Sequence, residues 1–453
     1  MIRASLKHHM GVLLAGVILA AAAIASAAEP IALSASAECV FGGDIRIRQV
    51  HFDQIPIVAD PPGVTRGGEN HFFRFRTRLW TRANFSEQVG IYARLVNEFR
   101  HYETGADKNW DWPDEAVIDA LFLDLKGMYG GMVDARIGRQ DIIYGTGKLV
   151  LEGTPKDGSR TLYHDAVRLS VHTGEKNTID FFGIYNQPEN QLALGSENRD
   201  LTGYDPAFND VTESGAGIYM MNRQLETCPF EAYYIYKRES SWITRNEEEI
   251  RGRDIHTVGT RWMPRNTRGT SANIELAYQF GETDDDRNLE AWMADAVVRQ
   301  GFGSLPGAPV LGAGIYHITG NDPETNRDEG WNPLWARFPQ YSELYVYAFD
   351  AEAAGRWSNV SMPYISLSCT PNESGRLALL AGYMSAPEKS GPGGGGERGW
   401  LGTARYDITL AQRVFTNKDR LFGHLLLEVF EPGDYYNVRK TAHFARWEIS
   451  YEF

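Results

Sequence analysis

Residues 72–82 read FFRFRTRLWTR, and no other run restricts the possible folds of this 453-residue chain so sharply. Side chains of a β-strand point alternately to its two faces. As a strand, the run sets Phe73, Phe75, Thr77, Leu79 and Thr81 on one face and Arg74, Arg76, Arg78, Trp80 and Arg82 on the other. In a soluble β-sandwich the second face would hold a dense cationic stripe in water. A barrel wall with lipid outside and a wet lumen inside satisfies both faces at once.

The same alternation recurs. Ile45 and Ile47 oppose Arg46 and Arg48; Ile91, Ala93 and Leu95 oppose Arg94, Glu98 and Arg100; Leu121, Leu123 and Leu125 oppose Asp124 and Lys126. Val133, Ala135 and Ile137 oppose Asp134 and Arg136, and Val167, Leu169 and Val171 oppose Arg168 and His172. Further on, Ile274, Leu276, Tyr278 and Phe280 oppose Asn273, Glu275 and Gln279, and Leu425, Leu427 and Val429 oppose His424 and Glu428. Such segments are about ten residues long, the length of a tilted strand that crosses the hydrocarbon layer.

Connections alternate as well. Short turns fall near 86–88, 127–131, 173–176, 224–227, 265–269 and 416–418. Long polar stretches fall at 51–70, 102–114, 141–162, 186–213, 240–252, 320–340, 385–399 and 431–440. Nineteen candidate strands result, whereas single-chain bacterial barrels have even numbers. Assigning 341–349 to a long seventh loop restores the short-long order and leaves 18 strands. The predicted fold is all-β: a transmembrane antiparallel up-and-down β-barrel over 43–453, with short periplasmic turns and long extracellular loops.

Both ends of the chain agree with export to an outer membrane. Arg3 and Lys7, the apolar stretch 11–24 and Ala25-Ser26-Ala27 make the three parts of a signal peptide, 1–27. The apolar stretch is too short for a spanning helix. Residues 28–42 are expected to form a short N-terminal periplasmic segment. Cys39 follows Ala37-Glu38, without the small apolar lead-in that lipidation needs. At the other end Ala445, Trp447, Ile449, Tyr451 and Phe453 alternate with Arg446, Glu448, Ser450 and Glu452. That pattern resembles the closing strand of outer-membrane proteins, the alternative being an ordinary last strand of a soluble sheet. Trp80, Tyr92, Tyr185, Trp262, Trp292, Tyr383, Trp400 and Trp447 stand at strand ends, where interfacial girdles form. Three cysteines cannot all pair within one chain; Cys228 with Cys369 is one pairing, three free thiols the alternative.

The formal net charge of −14 grows more negative when Arg3 and Lys7 leave with the signal, which argues against a nucleic-acid partner. The basic residues comprise 35 arginines and 10 lysines. Arginine's planar fork pairs bidentately with carboxylates, whereas lysine is a strongly hydrated point charge. The cations concentrate on predicted lumen positions: Arg46, Arg48, Arg74, Arg76, Arg78, Arg82, Arg94, Arg100, Lys126, Arg136 and Arg168. Two readings follow. Rings of arginine select anions, or the arginines pair with Glu98, Asp124, Asp134 and other lumen acids in a neutralised ladder.

The run 136–150, RIGRQDIIYGTGKLV, followed by Tyr163-His164-Asp165-Ala166-Val167-Arg168-Leu169, resembles the signature region of the alginate export family. Members carry a Gly-Arg-Gln strand end, a Tyr/Phe-Gly step and a Phe-Asp-Gly-Val-Arg-like strand. Here Lys148 replaces the usual Arg after the step, and His164-Asp165-Ala166 replaces Phe-Asp-Gly. The resemblance implies an eighteen-stranded outer-membrane barrel whose arginine-rich constriction passes an anionic uronate polysaccharide. It carries over Arg136, Arg139 and Arg168. Strict alternation sends Arg139 to the lipid face beside Ile137. Either Gly138 marks a bulge that turns Arg139 inward, or the side chain snorkels to the headgroups. A charge on the lipid face near a strand end costs up to about 1 kcal/mol, which favours the bulge.

The expected assembly is a monomer in outer-membrane lipid, with an anionic polysaccharide as solute, periplasmic export or degradation proteins as partners, and no cofactor. Asp322, Glu324, Asn326 and Asp328 have calcium-loop spacing, but Arg327 stands where such a loop needs Gly and Pro333 where it needs Glu. A solvated loop is the reading there. GPGGGG at 391–396 precedes Glu397-Arg398 rather than Lys-Ser/Thr, so it is a flexible loop or gate and not a phosphate loop. Neither a His-Glu-x-x-His nor a nucleophile elbow occurs. The rival functions are an anion-selective nutrient porin, an outer-membrane enzyme and a surface adhesion barrel.

Overall fold

The computed structural model describes residues 37–56, 69–104, 110–111, 116–151, 163–187, 192, 194, 212–243, 249–336, 340–344 and 357–453. The expected signal peptide lies outside these residues. In chain order the long strands are β1 (Glu38–Asp53), β2 (Asn70–Asn84), β3 (Val89–Tyr102), β4 (Val117–Gly127), β5 (Val133–Gln140), β6 (His164–His172), β7 (Asn177–Asn186), β8 (Glu213–Asn222) and β9 (Phe230–Glu239). They continue as β10 (Arg253–Trp262), β11 (Thr270–Thr283), β12 (Asn288–Gly301), β13 (Val310–Ile318), β14 (Val360–Asn372), β15 (Gly375–Ser385), β16 (Glu397–Gln412), β17 (Arg420–Pro432) and β18 (Ala442–Glu452).

Each strand pairs antiparallel with its neighbour in sequence, and β1 pairs with β18, which closes an 18-stranded barrel. Gly43 and Phe453 seal the seam by exchanging two backbone hydrogen bonds of 3.0 Å. The short pieces Trp110–Asp111 and Arg327–Asp328 add to β3 and β12. Every segment read from alternation falls within an observed strand. Residues 341–344 run as irregular chain between β13 and β14, as the even strand count requires; 345–349 lie outside the described residues.

One boundary differs from expectation. β1 starts at Glu38, inside the stretch 28–42 expected to be periplasmic, because residues 38–43 find partners on β2 even where β18 does not reach them. On the long-loop side β11 and β12 join through a tight turn at 284–287. Cys39, Cys228 and Cys369 are all free.

The usual inside-outside order is reversed. Ile45, Ile47, Leu79, Leu121, Ile137, Leu276, Ile365, Leu425 and Leu427 stand exposed on the outer wall, while Arg46, Arg48, Arg74, Asp124, Glu275 and Glu448 are buried. A wall like this is stable where its apolar outer band meets hydrocarbon instead of water. Exposed Trp262, Trp292 and Trp400 add the aromatic girdle positions. No helix of the described residues is long and apolar enough to cross a membrane.

Two long loops turn back into the lumen. The third, after β5, forms a small hairpin in which Tyr144 N donates to Val150 O at 3.1 Å. The seventh, after β13, lays Trp335–Ala336 parallel to Val150–Leu151, and Trp335 N donates to Leu149 O at 2.8 Å. Trp331, Leu334, Trp335 and Leu344 of the seventh loop join Ile142, Tyr144 and Val150 of the third in one apolar cluster with residues of β6–β18, with Val50 of β1 and with Phe72 of β2. Among the described residues, β3, β4 and β5 add no fully buried residue to this cluster.

Candidate functional site

β1–β3 carry most of the predicted arginines. On β1, Arg46 donates to Glu98 of β3 at 3.1 Å, and Arg48 donates through Nε and Nη2 to Glu448 of β18 at 2.8 and 2.5 Å. On β2, Arg74 Nε lies 3.1 Å from Glu98 at an angle too poor for a hydrogen bond. Arg76 and Arg78 share the carboxylate of Asp44, at 3.0 and 2.5 Å. Their positions follow from register: Arg46 pairs with Arg76, and Arg48 with Arg74. Like charges placed directly opposite repel, and Asp44, Glu98 and Glu448 separate them.

Five guanidiniums share these three carboxylates. Donors exceed acceptors, and the surplus is visible. Nε and Nη1 of both Arg46 and Arg76 are buried without a hydrogen-bond acceptor among the described residues. Such groups cost free energy unless a ligand or water satisfies them.

The remaining predicted cations are placed as follows. Arg82 and Arg136 both bind Asp124, at 2.9 and 2.7 Å. Arg94 reaches Asp119 at 2.8 Å and forks onto Asp141 at 2.9 and 3.1 Å. Arg100 donates to the Tyr102 hydroxyl at 2.8 Å and lies 5.3 Å from the Phe72 ring. Lys126 is exposed at the end of β4. Arg168 sits opposite Arg136 on β6, half-buried.

Arg139 answers the question posed by strict alternation in a third way. The register of β5 runs unbroken against β4 and β6, so no residue is inserted at Gly138. Gly138 instead takes a φ of 123°, and a Cβ there would sit 2.3 Å from Leu121 O. Arg139 is buried, forks onto Asp165 at 2.8 and 3.0 Å, donates to Ile118 O at 3.0 Å and stacks 3.5 Å over the Tyr163 ring. A salt bridge and a ring neutralise the charge that alternation alone would give to lipid.

The loops are held by residues outside the predicted site. Lys148 of the third loop meets Asp295 of β12 at 2.5 Å, and Tyr341 donates to the same carboxylate at 2.9 Å. Tyr144 donates to Asp180 at 3.0 Å and stacks on Tyr219 with 4.3 Å between centroids. Burial, then the neighbouring carboxylates Asp180 and Asp295, push the phenols of Tyr144 and Tyr341 well above their ordinary value. Both stay protonated donors at neutral pH. Farther along the seventh loop, Ser342 Oγ and Glu343 N donate to Glu428 at 2.5 and 2.7 Å, and Arg446 forks onto Glu343 at 2.9 and 3.3 Å. Arg446 was legible only as a lumen position of the last strand; its loop partner has no signal in sequence spacing.

Among the described residues no group of three or more His, Cys, Asp or Glu side chains has the arrangement to hold a metal ion. Asp328 of the acidic loop binds Arg253 at 3.2 Å, and Asp322 caps the backbone N–H of Glu324 at 2.9 Å.

Residues 38–384 match the sequence profile of the family described as alginate export. The chain belongs to the alginate export family. Its fold is shared by outer-membrane porins of Pseudomonas aeruginosa. OccK5 (OpdH) superposes with a TM-score of 0.55 at 11% identity, over 91% of this chain and 98% of that one. OccK2 (OpdF), solved in complex with glucuronate, gives 0.53 at 11% identity over 91% and 98%. OpdK, the outer membrane protein, gives 0.54 at 10% identity over 91% and 99%. At such identity the likeness is one of fold. Comparison with curated protein sequences gave no match. This alginate export barrel is an outer-membrane channel protein.

Proposed function

We propose that the barrel passes an anionic, uronate-type polysaccharide or its oligomers by passive diffusion along the arginine wall of β1–β3. The observation that carries this reading is the surplus of guanidinium over carboxylate there, with unanswered donors on Arg46 and Arg76. The acids are compatible with it. Asp44, Glu98 and Glu448 hold the arginine forks in place, and the positive charge left over on the wall attracts a passing carboxylate. Contacts of this kind must be weak and repeated for a polymer to move on. No covalent chemistry is required, and a monomer suffices.

The test is blockade of current through the protein in planar bilayers by uronate oligomers of increasing length. Block that deepens with chain length supports a polymer path. A second reading, a porin for small carboxylates, is favoured by the glucuronate and vanillate bound to the structural neighbours OccK2 and OpdK. It predicts that single-ring acids act as strongly as oligomers.

A further inference from the structure

We infer that the fork of Arg446 is a carboxylate-binding station of the conduit, and that Glu343 of the seventh loop occupies it as an internal competitor of the solute. The inference rests on the proposed uronate path. Arg446 stands on β18 opposite Val50, one lumen position along from the Arg48–Glu448 pair, so it continues the arginine wall. Its side chain is 1% exposed, and Nη1 and Nη2 present two parallel donors to the Glu343 carboxylate at 2.9 and 3.3 Å. That bidentate geometry is how arginine recognises a carboxylate of any origin. Nε is committed elsewhere, to His424 Nε2 at 2.9 Å, and Phe444 lies 5.5 Å below the guanidinium. The arginine is thus fixed from behind while its fork faces the loop.

Glu343 differs from a structural tie in two respects. Its carboxylate is 28% exposed, against 1% for its partner, so it reaches the arginine from the wet side. Moreover, the loop does not depend on that carboxylate for its place. Ser342 Oγ, Glu343 N and Leu344 N all donate to Glu428, at 2.5, 2.7 and 3.4 Å. Tyr341 is anchored separately on Asp295 at 2.9 Å. The Glu343 side chain can leave the fork while the loop stays docked. A tethered group acts at an effective concentration of roughly millimolar, and it lowers the apparent affinity of a free competitor by the fraction of forks it occupies.

The experiment uses the full-length protein in planar bilayers, with a uronate trimer as probe and a neutral glucose trimer as control. The Glu343→Gln variant keeps the side chain's shape and removes its charge. Its apparent Kd for the uronate trimer is expected to fall about tenfold, with the neutral trimer unaffected. In a chain that already carries Arg446→Gln, adding Glu343→Gln should leave the uronate Kd unchanged, because the fork for which the two carboxylates compete is gone. A Glu343→Gln variant whose uronate Kd stays within about twofold of a responsive wild type overturns the inference and leaves the proposed function standing. If the uronate trimer acts on neither protein, the uronate path itself falls, and this inference with it.

Discussion

Lys148 and Asp295 meet 2.5 Å apart inside the barrel, each almost wholly withdrawn from water. One leaves β5 on the third loop and the other belongs to β12, seven strands further round the wall. Their pair therefore ties the loop across the lumen, and Lys148 also donates to Thr146 at 2.6 Å within the hairpin.

Lys148→Met leaves Asp295 with a buried, uncompensated charge. Breaking one side of such a pair costs about 3–5 kcal/mol, whereas replacing both partners by apolar groups is often neutral. Single-channel recordings should show larger and noisier conductance for Lys148→Met, and a quieter baseline for the Lys148→Met, Asp295→Leu double variant. Identical traces for wild type and both variants would deny the tie any part in shaping the lumen.

Gly138→Ala should lower barrel stability by about 1–3 kcal/mol, because an L side chain at positive φ is strained and its Cβ would sit 2.3 Å from Leu121 O. The readout is the temperature at which the folded form is lost on a heated gel. An unchanged temperature would mean that β5 relaxes without cost.

Most of the wall was legible in the sequence because lipid outside and water inside impose a period of two on every strand. FFRFRTRLWTR needs no partner to be read. Lumen electrostatics were half legible: alternation places Arg46, Arg76 and Arg136, but the acids that answer them come from other strands at register positions no local pattern encodes. The inward loops were illegible for the same reason. Lys148, Glu343 and Arg446 acquire their roles from contacts between segments far apart in the chain. Arg139 keeps its place in an unbroken register, and what the two-residue period does not contain is its partner, Asp165, directly opposite on β6.

Tyr144 supplies a pH dependence. Burial, then Asp180, raises its phenol above the ordinary value. Stability from this group is complete below the unfolded phenol pKa of about 10 and is lost as pH rises past it. Thermal unfolding followed by circular dichroism should show this loss on going from about pH 9 to about pH 11. Tyr144→Phe should make the fall shallower and also lower stability near neutrality by about 1–3 kcal/mol, since Asp180 loses a buried donor. A variant with the same alkaline slope as wild type would remove Tyr144 from the explanation.

The central claim is that the wall formed by β1–β3 carries a net attraction for anions despite its acids. Reversal potential in a potassium chloride gradient tests it most directly. The wild-type protein is predicted to prefer chloride over potassium, and the combined Arg74→Ser, Arg76→Ser, Arg78→Ser variant to shift toward potassium. A wild type that prefers potassium, or a variant whose reversal potential does not move, would contradict the account.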